Sequence, residues 1–246
     1  SVFTRAFSQA NHTVPSFYSI LRGRYPIHMS RKAILYRISE KSLLLPKIPK
    51  GEENHVLGVS NTFKDDPSPS LAETLEKNGY ATLAYPNDRY SNYLSEVIGA
   101  RKGFEINFTN DPKDKSKKAT RFNDVKMTDM GIEAIHKYKD KPFFLWLHYY
   151  DHHSFEKRDT GKHWGHNSSV DLYDSGIYRV DEQIGRLVEA LKKEGLYEKV
   201  LIAFTADHGC TFMLHKEMHG TDISQDQVHV PLIIKIPGAP KGKVLD

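Results

Sequence analysis

The sequence is poor in the features that would make its class obvious. A single cysteine, Cys210, excludes any intrachain disulfide. No apolar run approaches the ~18 residues that a membrane-spanning helix needs, the best being 142–150. There is no secretory leader pattern at Ser1, no internal repeat and no low-complexity tract. No Gly-x-Gly-x-x-Gly or P-loop pattern occurs, which argues against a generic nucleotide-binding α/β protein.

Charge is also modest. The net formal charge of +4 is spread along 246 residues. The densest basic stretch, 113–121, lacks interleaved aromatics and reads as a solvated loop, so no nucleic-acid partner is expected. With 39% hydrophobic and 27% charged residues, the chain has the composition of a folded domain with a sizeable core.

Short, continuous apolar runs at 81–85, 143–148, 200–205 and 231–236 read as strands covered on both faces. Between them, 70–78 opens on a Ser-x-x-Glu capping pattern and stops at Gly79. A second helix is expected over 125–138. The longest runs from about 171 to 193, with Ile177, Val180, Ile184, Leu187, Val188 and Leu191 on one face and Gly195 as the stop. Loops rich in Pro, Asp, Asn and Lys occupy 46–70 and 111–123. The alternation predicts one α/β domain over 1–246, with a mostly parallel central sheet and helices on both faces.

The run 200–205 delivers Asp207 and His208 just past the carboxyl end of a strand, where open α/β sheets bind ligands. A carboxylate beside an imidazole offers one hard oxygen and one borderline nitrogen, a suitable pair for a divalent cation. Gly209 is expected to let the backbone turn sharply beside it. Near the amino terminus, Thr13 precedes a helix led by Pro15, where it would serve as the N-cap. An ester anion at such a helix start meets free N–H groups and the positive end of the dipole. A metal-bound threonine hydroxyl there could attack it.

Five blocks between 141 and 238 occur in a telling order. They are Pro142-Phe-Phe-Leu-Trp-Leu-His-Tyr-Tyr-Asp-His-His, Tyr173 with 177–185, Phe204-Thr-Ala-Asp-His-Gly, His219-Gly-Thr, and His229-Val-Pro-Leu-Ile-Ile. Together they resemble the sulfatase family of the alkaline-phosphatase superfamily, and the segment from Thr13 to Pro26 resembles that family's active-site helix. The resemblance implies an alkaline-phosphatase-like fold and a hydrolase for sulfate or phosphate esters. It implies a metal held by Asp207, His208 and Thr13, with Thr13 as nucleophile, His153 on the anion, and His219 either on the anion or, as at the similar position of the two-zinc branch, a metal ligand.

Sulfatases proper carry Cys or Ser followed by x-Pro-x-Arg, and convert the first residue to formylglycine. This sequence has Thr13 and, at the arginine position, Phe17. Threonine nucleophiles occur instead in phosphodiesterases and in the phosphotransferases of bacterial envelope polymers, which the resemblance therefore implies as an alternative. A non-catalytic protein that binds an anionic ligand is the third reading. The offset of His153 from Asp151 departs from the Asp-x-x-x-His spacing of the two-zinc branch. That favours one divalent ion (Ca, Mn or Zn) over two.

The expected substrate is a small-molecule, glycan-linked or lipid-linked sulfate or phosphate ester. The family's acidic first strand would precede Val2, and further carboxy-terminal structure would follow 236–246, so the chain is expected to be the middle of a longer domain. His148, His152, His163, His166 and His215 read as packing or surface residues, and Lys162, His163 and Trp164 as candidates for the substrate mouth. The glycosylation-type triplets at Asn11, Asn107 and Asn167 carry no weight by themselves.

Overall fold

The structure is a computed structural model, which describes residues 1–25, 67–86, 103–104, 124–153, 168–213, 216–220, 223–240 and 242–246. The expectations for 111–123, for most of 46–70, and for Lys162, His163, Trp164, His166, His215, Asn107 and Asn167 lie outside the described residues.

The elements follow as β1 (Val2–Phe3), α1 (Thr13–Arg22), α2 (Leu71–Lys77), β2 (Ala81–Pro86), α3 (Asp124–Tyr138), β3 (Phe143–His148), α4 (Ser169–Lys193), β4 (Ile202–Thr205), β5 (Thr211–Met213), β6 (Lys216–Met218), α5 (Gln225–Val228), β7 (Leu232–Lys235) and β8 (Val244–Leu245). Every strand and helix expected from the sequence is present. Helix α2 has the full capping box, Ser70 accepting from Glu73 N while Glu73 accepts from Ser70 N. A second box, not singled out from the sequence, starts α4 at Ser168 and Asp171. Among the described residues, no helix is long and apolar enough to cross a membrane.

The fold is mixed α/β with open sheets. Strands β2 and β3 pair in parallel from Ala81↔Phe143 to Pro86↔His148. The second sheet runs β4-β7-β1-β8; there β4–β7 and β7–β1 are antiparallel while β1–β8 is parallel. The chain reverses between β4 and β7 through the β5–β6 hairpin and the single turn of α5, which returns it alongside its own start.

The core explains the layering. Leu145 and Leu147 of β3 pack with Leu83, Met127 and Ala134 under α3. Phe143, Leu187 and Ile202 gather around Ile135, Leu191 and Leu196. Gly131 lets α3 come close, because a Cβ there would lie 3.1 Å from Leu147 and 3.2 Å from Leu187. The opposite face of β3 meets α1, where Phe17 sets its ring edge-on to Trp146 and His148. Helices thus cover both faces of β3, as its unbroken apolar run requires.

Two details differ from the expectations. Ala203 of β4 and Ile233 of β7 are exposed, on opposite faces of the sheet since Ile233 pairs with Phe204, so among the described residues neither face of this pair is fully covered. Ile177, expected on the buried face of α4, is 45% exposed because the helix packs through Val180, Leu187 and Leu191 instead.

Candidate active site

The amino-terminal segment reaches the site by joining the sheet. β1 threads between β7 and β8, and Phe7 bridges to His229. This carries the segment that follows across the carboxyl end of β4. Ser8 donates a hydrogen bond to the carbonyl of Asp207, and its Oγ lies 3.0 Å from that of Ser16 on α1. Ser16 in turn lies 3.1 Å from Ala10 O. The start of α1 is therefore tied to the Asp207–His208 turn.

Thr13 is the first residue of α1 and His12 is its N-cap, which corrects the expectation that Thr13 caps a helix led by Pro15. Proline lacks an N–H, but the first turn of a helix has no intrahelical use for one, so α1 can start before Pro15. The Thr13 hydroxyl is engaged elsewhere: its Oγ1 lies 3.2 Å from His208 Nε2, and Thr13 is only 6% exposed. His208 Nδ1 sits 2.7 Å from Gly209 O. Its Nε2 is left facing Thr13 and Asp207, with Asp207 Oδ2 at 3.6 Å. Donor atoms of Thr13, Asp207 and His208 thus converge.

Gly209 is outside the left-handed region, so its backbone conformation does not by itself require glycine. Its role is close approach. A Cβ would lie 2.1 Å from Asp226 O, and Gly209 N donates to Gln227 O at 2.8 Å. The segment around α5 therefore buttresses the Asp207–His208 turn from behind.

Around these donors stands a set of imidazoles. His219 stacks on His208 with ring centroids 4.6 Å apart, and His153 meets His219 edge-on at 5.4 Å. Thr13, His153, Asp207, His208 and His219, the residues singled out from the sequence, accordingly form one contiguous group. His12 was not among them, yet its ring lies 6.3 Å from His208 and 5.8 Å from His219. His148 and His152 were expected to be packing or surface residues, whereas both interact electrostatically with Asp207. A signal for His148 was present, since it closes the apolar run 143–148 and so lies at the carboxyl end of a strand. Asp151, weighed as a metal ligand, is buried and lies 3.8 Å from Arg179 of α4. Phe17 is 2% exposed, so an apolar ring fills the helix position where the sulfatase pattern has arginine.

The burial of these imidazoles lowers their basicity. Burial takes His152 down to about 4 and His153 to about 3, with neighbouring histidines adding to the effect on both and Asp207 opposing it. His148 is lowered for the same first reason. Burial would raise Asp207, but His208, His148 and a hydrogen bond from Thr13 outweigh it and hold the carboxylate below its ordinary value. The carboxylate is ionised and the histidines of the 148–153 stretch are neutral at pH 7.

A stability prediction follows from the sign of these shifts. Unfolded histidines titrate near 6.5, so below that pH the unfolded chain binds more protons than the folded one. The contribution of the buried histidines is complete above about 6.5 and is lost as pH falls towards about 4 for His152 and about 3 for His153. In metal-free buffer, Tm should fall by about 4 °C or more between pH 7 and pH 5. The pair of substitutions His152→Gln and His153→Gln should flatten that slope; an equally steep slope in the variant would refute the assignment.

Among the described residues, no three His, Cys, Asp or Glu side chains gather as a metal cage. Asp207 and His208 supply two such donors and Thr13 adds a hydroxyl oxygen beside them. This mixed oxygen and nitrogen set suits one divalent cation.

The strand order and flanking helices make an alkaline-phosphatase-like α/β fold. The sulfatase family model matches residues 1–245, and the chain belongs to that family. The uncharacterized sulfatase YdeN of Escherichia coli is 33% identical over 95 residues, covering 34% of this chain and 16% of that protein. Lipoteichoic acid synthase 1 of Bacillus subtilis is 28% identical over 222 residues, covering 76% of this chain and 34% of the synthase. Among solved structures, the lipoteichoic acid synthase LtaP from Listeria monocytogenes superposes with a TM-score of 0.61 at 17% identity. That superposition covers 98% of this chain and 57% of LtaP, and shows a shared fold. The chain spans about a third or less of the two curated relatives.

Proposed function

We propose that the chain carries an esterase site for phosphate esters, with Thr13 as the attacking group. The observation that carries this reading is the 3.2 Å approach of Thr13 Oγ1 to His208 Nε2 at the first residue of α1. A divalent ion held by Asp207, His208 and Thr13 would supply Lewis acidity and favour the ionised hydroxyl. The start of α1 presents backbone N–H groups to the anion.

The chain's own steps are then simple. Thr13 Oγ1, its proton given up to solvent, forms a bond to phosphorus as the ester P–O bond breaks, and the departing oxygen takes up a proton from solvent. His153 and His219, in mutual contact, donate N–H hydrogen bonds to the ester oxygens. Water then cleaves the phosphothreonine, or an acceptor alcohol takes the phosphoryl group. Similarity to a lipoteichoic acid synthase over 76% of this chain supports the transferase variant as a second reading.

Phosphate is favoured over sulfate because threonine cannot become formylglycine and because Phe17 brings no cation to α1. The test is a panel of p-nitrophenyl sulfate, p-nitrophenyl phosphate and bis(p-nitrophenyl) phosphate with added Ca, Mn or Zn. A phosphate ester should be turned over at least ~10-fold faster than the sulfate. Preferential sulfate cleavage would overturn the choice of phosphate. No turnover together with no bound divalent ion would instead favour a non-catalytic binder of anions.

A further inference from the structure

The turn that carries His153 has no regular structure of its own, yet two helices hold it. Asp124, the first residue of α3, is 1% exposed. Both oxygens of its carboxylate serve this turn: Tyr150 N donates to Oδ1 at 2.9 Å and to Oδ2 at 3.1 Å, and Asp151 N donates to Oδ2 at 2.7 Å. Tyr150, thus held, stacks its ring on that of His153 at 4.4 Å, and its carbonyl accepts a hydrogen bond from His153 N at 3.0 Å. A charge buried this completely persists only where hydrogen bonds satisfy it, and the positive end of α3 adds to that compensation.

Helix α4 also touches the turn. Gly176 packs so closely that a Cβ would lie 2.8 Å from His152 Cα and 3.3 Å from Asp151 O. One turn further on, Arg179 lies 3.8 Å from Asp151 Oδ2. Glycine weakens a helix interior relative to alanine, so its presence here answers to the turn rather than to the helix.

We propose that Asp124 and Gly176 are positioning residues: from two adjacent helices they fix the turn and so set where the His153 ring stands relative to Thr13 and His219. This rests on the role given to His153 above. A displacement of order 1 Å at a group that meets the reacting oxygens can cost about a hundredfold in rate, whereas the same displacement at a surface turn costs nothing.

The experiment is a pair of double-mutant cycles in the full chain, with p-nitrophenyl phosphate and bis(p-nitrophenyl) phosphate as probes. Asp124→Ala and Gly176→Ala are each made alone and with His153→Ala. Gly176→Ala should lower kcat by about 10–100-fold with KM within about 2-fold, and should lower Tm by roughly 2–10 °C because the added Cβ must displace the backbone of the turn. Asp124→Ala should lower kcat to the same degree, and Asp124→Asn, which keeps one acceptor oxygen, should recover part of the rate. In the His153→Ala background both losses should shrink to less than about 2-fold. Equal losses in both backgrounds would overturn the positioning role while leaving the role of His153 intact. A His153→Ala variant with full activity would overturn the role of His153 itself and this inference with it. Should Asp124→Ala fail to fold, Asp124→Asn and Gly176→Ala decide.

Discussion

Thr13→Ala should lower kcat/KM on the preferred phosphate ester by about a thousandfold or more, while Thr13→Ser stays within about tenfold of the parent. The asymmetry is the informative part. Alanine removes Oγ1 and leaves His208 Nε2 without the hydroxyl it meets at 3.2 Å. Serine restores an oxygen at the same place. The fold should be indifferent, because position 13 opens a helix and alanine is the best helix former. Tm of the alanine variant should lie within a few degrees of the parent. Quenching the parent enzyme during turnover should yield a peptide phosphorylated at Thr13. An alanine variant with full activity would remove Thr13 as the nucleophile.

The second large effect is expected at Asp207. Its carboxylate is the charged member of the donor set, held below its ordinary pKa by His208, His148 and Thr13 against the opposing effect of burial. Asp207→Asn keeps the shape and removes the charge, and metal affinity depends steeply on ligand charge. The variant should lose its bound divalent ion on gel filtration and at least about a thousandfold in rate. EDTA should inactivate the parent, and returning the metal should restore it; neither treatment should matter to the variant. Full activity with bound metal in Asp207→Asn would place the ion elsewhere.

Much of the fold was legible because its signals are local. The apolar run 143–148, the Ser70 box and the periodic face from Val180 to Leu191 each reflect a residue's relation to near neighbours. Asp207 and His208 were legible for the same reason, following directly on β4. What escaped depends on residues far apart. β1 has two residues and no pattern of its own, and it exists because β7 and β8 offer it two edges. His12 was hidden by a boundary: placing the helix start at Pro15 leaves His12 in a loop, while starting it at Thr13 sets it over His208 and His219. Asp124 could be read only as the edge of a helix, since nothing local announces which distant amides a carboxylate will accept.

The passage of β1 between β7 and β8 also bears on how the site comes into being. Thr13 and His208 are separated by 195 positions, and Val2 pairs with Ile233 and Val244. As the chain leaves the ribosome, the threonine therefore emerges long before the strands that will hold its segment in place. Closing such a loop costs entropy that local helices never incur, which makes this docking a late and slow event in folding. The hydroxyl is held beside its imidazole and carboxylate partners only once β7 and β8 have been made, so reactivity is expected only after this segment has waited through the synthesis of all the elements between.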